Sequence, residues 1–262
     1  MTHDTSSPLL LDISHGIARI CLNRPASLNA ANVAMARAFR QAVSAIASAP
    51  DVRAVLLHGA GRSFMAGGDL SELSVDSSRT AASIIQPLHA GLEMMAALPV
   101  PVLASVQGAV AGAGVSLMLA ADLAIAADDA SFNMAYAKIG ASPDASASWH
   151  LPRVVGLRKA MEIVMLSDTV DASEALRLSL VNRIVPAGEL QAETEQLLQR
   201  LASGPTVALG RIKALLRASQ GRGLPSQLAA EQAAFLACAQ TGDFQEGAAA
   251  FLEKRRPSFL GR

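Results

Sequence analysis

Apolar and polar residues alternate along residues 9–23, and this pattern predicts two β-strands joined in a hairpin. The strand-like segments "LLLDIS" and "IARICLN" flank His15-Gly16, a pair typical of a tight turn. Residues 27–50 follow with apolar side chains at helical spacing, in "SLNAANVAMARAFRQAVSAIASAP". A helix is predicted there, and Pro50 is typical of the position just after a helix end.

Strands and helices continue to alternate up to about residue 186. Further strands are predicted at 52–60, 101–108, 123–128, 130–135 and 181–186. Further helices are predicted at 84–98, 114–122, 155–166 and 171–180. The segment "GRSFMAGGDLSEL" (61–73) predicts another strand, which runs into a glycine turn and the start of a helix.

The pattern changes to helix alone from about Glu189 to the end of the sequence. A change from mixed strands and helices to helices only predicts a boundary near residue 200. We therefore predict a flexible start at residues 1–8, an α/β core at 9–200 and a helical region at 201–262. Because this last region has apolar faces but little core of its own, it must pack on the core or on another subunit.

Residues 98–121 carry no charged side chain, so a membrane span has to be weighed against a buried strand and helix. Pro99 and Pro101 stand at the start of this run, glycines interrupt its middle and Asp122 closes it. No basic flanks are present to set an orientation in a membrane. A fully buried strand followed by a buried helix uses the same residues and is the favoured interpretation.

Composition and charge indicate which binding partners and which cellular compartment to expect. The chain has 22 Lys and Arg against 22 Asp and Glu, so no basic excess indicates nucleic acid or an anionic membrane surface as the main partner. Cys21 and Cys238 lie far apart and have no metal-type spacing, which is typical of a reduced protein. The polar first residues have no basic segment of a signal peptide, and a cytoplasmic protein is expected.

Two glycine turns, each between a strand and a helix, are the candidates for a catalytic site. The first is at Gly67-Gly68 and the second is in "GAVAGAG" (108–114), whose spacing does not match a dinucleotide-binding loop. Helix N-termini present unpaired N–H groups and the positive end of a dipole. Two such turns that face each other could direct two N–H groups at one oxygen, which is an oxyanion hole.

The motifs at these turns and around them resemble those of the enoyl-CoA hydratase/isomerase (crotonase) family. The resemblance extends from about residue 9 to residue 262, and two segments are most similar to the phenylacetate-pathway ring-epoxide isomerase type: "GASPDASASWHLPRVVGLRKAME" and "FQEGAAAFLEKRRPSFLGR". It depends further on "CLNRPASLNAAN", "FMAGGDL", "PVLASVQGAVAGAGVSLMLAADLAIA" and "EALRLSLVNRIVP". The fold that it implies is an α/β, crotonase-like spiral of ββα units with a C-terminal helical region. In the family that region builds trimers, which often pair into hexamers.

The resemblance also implies an acyl-CoA thioester as the substrate and assigns positions to it. By motif position, the backbone N–H groups of Ala66 and Ala113 form the oxyanion hole. Coenzyme A, as part of the substrate, is expected along two segments of the chain: Arg24, Ala26 and Leu28, and Gly67, Gly68 and Asp69. No metal and no separate cofactor are expected, since the chemistry is stabilisation of a thioester enolate.

The sequence departs from the hydratases of the family at two positions. Water addition suits two carboxylates, and the family's two carboxylate positions hold Ser116 and Tyr136 in this chain. Asp144 falls where several isomerases and the aryl-CoA dehalogenases of the family place their working carboxylate. One carboxylate suffices to move a proton between two carbons, so we predict an isomerase in which Asp144 is the proton shuttle. The alternatives are an enoyl-CoA hydratase and a non-catalytic CoA-binding or scaffold protein.

Four side chains are predicted to line the substrate pocket, namely His89, Ser116, Tyr136 and Trp149. His89 lies on the helix where the dehalogenases carry a base, but a packed or rim residue is the alternative interpretation. The dehalogenases use Trp where this chain has Tyr136, and aromatic residues are only 3% of the chain. An aryl-binding cage of the dehalogenase kind is therefore not expected.

Overall fold

The computed structural model describes residues 7–262 and contains two β-sheets. The larger sheet has six strands in the order β1-β2-β3-β4-β6-β9, and the smaller has three in the order β5-β7-β8. The strands are β1 (Leu9–Ser14), β2 (Ile17–Leu22), β3 (Ala54–Gly59), β4 (Val102–Val106), β5 (Ala109–Ala111), β6 (Leu123–Ala127), β7 (Ser131–Asn133), β8 (Val170–Asp171) and β9 (Arg183–Val185).

The predicted hairpin is confirmed, with β1 antiparallel to β2 and Ser14 opposite Ile17. His15 (φ 51°) and Gly16 (φ 75°) both adopt left-handed backbone conformations. Two central residues with positive φ are typical of a tight turn whose twist matches that of the flanking strands. The remaining neighbours in the larger sheet, from β2 to β9, pair in parallel.

The chain winds as a spiral in which each turn supplies a strand to the larger sheet and then an extended segment to the smaller one. The pairs β4 with β5 and β6 with β7 form two such turns. In the turn before them, Met65 pairs with Val110 through a single isolated bridge. Residues 61–68, predicted as a strand, therefore contribute only isolated bridges, because one pair of contacts is too short for a strand. The predicted α/β class is confirmed.

Eleven α-helices of the described residues follow or cover these strands. They are α1 (Val33–Ala47), α2 (Leu70–Leu73), α3 (Ser77–Ala97), α4 (Ala113–Ala120), α5 (Ala147–Val155), α6 (Leu157–Leu166), α7 (Ala172–Arg177), α8 (Leu190–Ala202), α9 (Thr206–Ser219), α10 (Leu224–Ala239) and α11 (Gly242–Leu252). Helix α5, which contains Pro152, was not predicted from the sequence. Helix α3 begins seven residues before its predicted start.

Both faces of the larger sheet are covered. On one face Ile20, Leu57 and Phe39 belong to a large buried cluster that also includes residues of α3 and α4. On the other face a smaller cluster joins the sheet to Leu198 of α8. The boundary predicted near residue 200 therefore falls inside a helix that packs on the core.

The apolar run at 98–121 is buried as β4, β5 and α4. Within residues 7–262, none of the helices combines the length and the apolar character that crossing a bilayer requires. Of the segment predicted to be flexible, residues 1–6 lie outside the described part of the chain.

The C-terminal residues fold back onto the rest of the molecule. The buried Asp243 carboxylate accepts the N–H groups of Leu260 (2.7 Å) and Gly261 (2.8 Å). The Arg53 guanidinium donates to the carbonyl oxygens of Gly204 (2.8 Å) and Phe259 (3.1 Å). The end of the chain is therefore held both by α11 and by the residue that precedes β3.

Candidate active site

The two glycine turns predicted from the sequence lie against each other. A Cβ atom built on Gly112 would lie 3.6 Å from the Cα atom of Gly67, and one built on Gly67 would lie 3.3 Å from the carbonyl oxygen of Ala111. Both glycines have positive φ, 101° at Gly67 and 49° at Gly112. Glycine adopts such backbone conformations without a steric cost. The close contact brings the residues that follow them, Gly68 and Ala113, to the same place.

The hydrogen bonds of the first turn correct the prediction for Ala66. The N–H of Ala66 donates to the carbonyl oxygen of Leu28 at 3.0 Å, so it is already used within the fold. The N–H of Asp69 is likewise used, by Ala31 at 2.9 Å. Between them, the N–H groups of Gly67 and Gly68 have no hydrogen-bond acceptor in the part of the chain that the structure describes. Both were assigned to the coenzyme A segment, and Gly68, which follows the contact between the two glycines, is the candidate donor of this turn.

In the second turn, Ala113 lies at the start of a helix. Ala113 is the first residue of α4, and the N–H of Ser116 makes the helix's bond to Gly112. The first N–H groups of a helix have no partner within the helix itself. The Ala113 N–H is therefore a donor at a helix N-terminus, where the helix dipole favours negative charge.

A chain of three side chains connects this turn with the predicted acid. Ser116 Oγ lies 3.3 Å from the carbonyl oxygen of Gly112 and 3.1 Å from the hydroxyl oxygen of Tyr136. The Tyr136 hydroxyl in turn donates a hydrogen bond to Asp144 Oδ1. Ser116 and Tyr136 are buried, whereas Asp144 is half-buried. The structure therefore brings the three residues at the family's carboxylate positions into one hydrogen-bonded group.

Tyr136 remains a neutral donor in this group. Burial raises the pKa of Tyr136 far above its ordinary value, and the negative charge of Asp144 raises it further. A neutral phenol beside a carboxylate donates its proton into the hydrogen bond and does not compete for the charge. Asp144 is thus the only carboxylate that hydrogen-bonds to Ser116 or Tyr136 within residues 7–262.

Asp144 also lies at a large cavity, with a volume of about 1130 Å³. His89 and Trp149 line the same cavity, whereas Ser116, Tyr136 and the two glycine turns do not. His89 accepts the backbone N–H of Ala145 at Nε2, at 3.1 Å. Of the four predicted pocket residues, two therefore line this cavity and two do not.

Trp149 is about half exposed (55%), and the Arg153 guanidinium stacks over its ring at 3.4 Å from the ring centre. The neighbouring His150 is partly buried. Burial and the nearby cations Arg217 and Arg153 lower the pKa of His150 to about 4. His150 is therefore uncharged at neutral pH, in part because of Arg217, which is distant in the sequence.

The two segments predicted to hold coenzyme A are tied together by an ion pair. Arg24 donates to Asp69 Oδ2 at 2.8 Å and to the carbonyl oxygen of Ala30 at 2.5 Å. The Ser71 hydroxyl and the Arg24 guanidinium hold the pKa of Asp69 below its usual value. Ala26 is exposed, and Leu28 supplies the carbonyl that occupies the Ala66 N–H. The charge of Arg24 is thus paired with Asp69 within the protein itself.

A buried charged cluster near the cavity was only partly predicted. Asp122, expected to cap a helix or pair with backbone, accepts the N–H of Val102 at 2.8 Å. It also pairs with Lys213 (2.9 Å) and Arg217 (2.6 Å) from α9. The sequence separation of about ninety residues left no local signal for these partners. No group of three or more residues suited to a metal ion is found in the described chain.

Comparisons with known proteins extend over nearly the whole chain. The model of one family, Enoyl-CoA hydratase/isomerase, matches residues 12–262. A Rhodobacter capsulatus protein named "Probable enoyl-CoA hydratase" is 38% identical, over 96% of this chain and 97% of its own. The 1,2-epoxyphenylacetyl-CoA isomerase of Escherichia coli is 34% identical, over 97% and 98%. The solved structure of an enoyl-CoA hydratase from Bacillus anthracis superimposes with a TM-score of 0.92 at 29% identity, over 97% of this chain and 100% of that one.

Proposed function

The chain belongs to the enoyl-CoA hydratase/isomerase family and has the crotonase fold, and from this premise we propose that it isomerises an enoyl-CoA or a related ring-derived acyl-CoA. The observation that carries the proposal is the hydrogen-bonded group of Ser116, Tyr136 and Asp144. It offers one carboxylate where a hydratase of the family would use two. The proposed reaction needs a single group that takes a proton and returns it.

The first part of the mechanism is stabilisation of the thioester enolate. The thioester oxygen accepts hydrogen bonds from the N–H groups of Gly68 and Ala113, which follow the two touching glycines. Negative charge grows on this oxygen when a proton leaves the neighbouring carbon. Each preorganised donor is worth about 2.7–4 kcal/mol in such a transition state. The N-terminus of α4 adds the favourable end of its dipole.

The second part is proton transfer by Asp144. Its carboxylate removes a proton from one carbon of the acyl chain, and the electron pair of the broken C–H bond moves into the enolate. The same proton, now on Asp144, is then returned to a different carbon, so that the double bond moves and no atom is gained or lost. Tyr136 holds the carboxylate by donating its hydroxyl to Oδ1 throughout. General acid–base groups of this kind contribute about 10²–10⁴-fold to the rate.

The acyl group extends from Asp144 into the neighbouring cavity of about 1130 Å³. Coenzyme A lies along the surface formed by Ala26, Leu28 and the turn at Gly67-Gly68. We further propose a homotrimer or a dimer of trimers, because apolar side chains of the C-terminal helices are exposed in the single chain. They include Phe235, Phe251 (83% exposed) and Leu252 (80% exposed).

A substrate panel tests the proposal. A 3-enoyl-CoA and a 2-enoyl-CoA are supplied separately, and formation of conjugated thioester, loss of conjugation and water incorporation are followed. We expect interconversion of the two isomers without water incorporation. We expect Asp144→Asn to lower this rate about 10²–10⁴-fold. Asp51→Asn, which neutralises an exposed carboxylate at the edge of the core, is the matched control.

The alternatives give different results in the same assay. Rapid hydration of the 2-enoyl-CoA would identify a hydratase in which Asp144 alone handles the water. Binding of acyl-CoA without any turnover would identify a non-catalytic member of the family. Isomerisation that survives Asp144→Asn would show that a different residue moves the proton.

A further inference from the structure

The Asp144 carboxylate lies on a backbone segment whose conformation is intrinsically unfavourable. The two residues that follow it, Ala145 (φ 47°) and Ser146 (φ 70°), both have left-handed backbone angles. Residues other than glycine rarely adopt such angles, and two in succession are rarer still. The surrounding contacts must therefore hold this segment, as is common for strained residues at functional sites.

Few side chains hydrogen-bond to this segment, although Ala145 itself is fully buried in the core. Within it, the N–H of Ala147 donates to the carbonyl oxygen of Asp144 at 3.0 Å. From outside, Tyr136 binds the Asp144 carboxylate and His89 binds the backbone at Ala145. Ser146 does not use its hydroxyl to cap α5, and its Oγ is buried without a hydrogen-bond partner among the described residues. His89 is thus the side chain that hydrogen-bonds to the backbone next to the acid.

The direction of the His89 contact determines what this ring can do. Because the Ala145 N–H is a donor, Nε2 of His89 must be the acceptor, and the ring proton of neutral His89 is on Nδ1. A ring nitrogen that accepts a backbone N–H is not free to accept a proton from the substrate. His89 also lies on α3, which packs on α1 and contributes side chains to the buried core. The contact therefore ties the Asp144 segment to a rigid element.

We propose that His89 is a positioning residue, which holds the Asp144 carboxylate in its reactive place by accepting the Ala145 N–H. This inference rests on the proposed function, since it assigns to Asp144 the proton transfer. It differs from the role of a base, which the corresponding position has in the dehalogenases. Only the acceptor atom is required, so another side chain that offers an acceptor at the same distance should replace the histidine.

Two variants separate positioning from catalysis. In His89→Ala the acceptor is removed, and we expect kcat to fall about ten- to a hundred-fold with KM nearly unchanged, since a displacement of about 1 Å can cost about 10²-fold. In His89→Gln the amide oxygen can accept the Ala145 N–H, and we expect most of the rate to return. Gln86→Ala, an exposed change on the same helix, is the control. A Gln variant as slow as the Ala variant would overturn the proposal in favour of a catalytic base.

A second measurement does not depend on activity. Hydrogen exchange of the Ala145 amide, followed by NMR, should be faster in His89→Ala than in wild type and slow again in His89→Gln. Unchanged exchange in His89→Ala, or an unchanged kcat, would overturn the proposal. Failure of the proposed function would look different, because wild type itself would then turn over no acyl-CoA, while the amide exchange would still distinguish the two variants.

Discussion

The Tyr136 hydroxyl donates a hydrogen bond to Oδ1 of Asp144, and the two residues approach each other across the turn that follows β7. The phenol takes the place of a second carboxylate and at the same time binds the remaining one. A neutral donor at this position stabilises a single negative charge, whereas a second acid would repel it. The pair therefore favours chemistry that needs one base and a fixed geometry.

The state of this pair can be measured directly, because Tyr136 is the only tyrosine of the chain. Burial and the charge of Asp144 raise its pKa, so phenolate absorbance should appear only well above pH 10 in the folded protein. In denaturant the midpoint should return to about 10. Asp144→Asn should lower the midpoint in the folded protein, since it removes the charge and leaves the burial.

The same shift has a consequence for stability. The folded protein binds the phenol proton more tightly than the unfolded chain does, so the free energy of unfolding should fall as the pH rises above about 10. Urea titrations of wild type and Tyr136→Phe at several alkaline pH values check this. If Tyr136 in the folded protein instead ionised with a pH midpoint near 10, and stability did not fall above that pH, the hydrogen-bonded arrangement would be contradicted.

The N–H of Ala113, the proposed oxyanion donor, can be removed without removing a helix bond. Proline is tolerated at the first position of a helix, where the N–H has no partner in the helix. Ala113→Pro should therefore keep most of the stability and lower kcat about 10²–10³-fold, as loss of one oxyanion donor does. Circular dichroism and a thermal melt accompany the kinetics, and full activity in a folded Ala113→Pro variant would exclude this N–H as a donor.

The left-handed backbone at Ser146 predicts a stabilising substitution. Ser146→Gly removes both the steric cost of φ 70° and a buried hydroxyl without a partner. The free energy of unfolding should rise by about 1 kcal/mol. Ala147→Gly, one residue further on and inside α5, should instead lower it by about 0.5–1 kcal/mol. Equal effects of the two changes in chemical denaturation would show that the backbone at Ser146 is not strained.

The cluster around Asp122 should be important for stability. Lys213 is almost fully buried (6% exposed), and burial lowers its pKa, whereas the charge of Asp122 opposes that shift. Asp122→Ala leaves the cation without its partner and should destabilise the protein by about 3–5 kcal/mol. Lys213→Met removes the buried cation itself and should cost less. Urea unfolding of the two variants compares them, and the reverse order would contradict this account.

Local sequence patterns were sufficient where local chemistry decides the structure. The hairpin followed from the alternation around His15-Gly16, because the strands and the turn that joins them are adjacent in sequence. The grouping of Ser116, Tyr136 and Asp144 followed from the resemblance to a family, and their hydrogen bonds show that these positions do meet. Their protonation and hydrogen-bond directions needed the structure.

The predictions that were wrong depend on contacts between distant residues or on unusual backbone conformations. Ala66 and Gly68 are two residues apart, and the carbonyl of Leu28, almost forty residues earlier, decides which N–H is free. Helix α5 was missed because Pro152 lies inside it and proline disfavours a helix interior. Ala145 and Ser146, directly before α5, have left-handed backbone angles that no sequence pattern indicates, so the start of the helix was not recognised either. The contact of His89 with Ala145 joins positions that no periodicity connects.

The hydrogen bond from Arg53 to Phe259 joins groups that are 206 positions apart. At a synthesis rate of roughly 5–20 residues per second, Phe259 is made about 10–40 s after Arg53, whose guanidinium binds its carbonyl oxygen. The sheet beside it can form earlier, but the last residues complete its contacts only after the helical region has been made. The hydrogen bond to Phe259 is therefore made late in the assembly of the nascent chain, and the segment before β3 lacks this contact until residue 259 has left the ribosome.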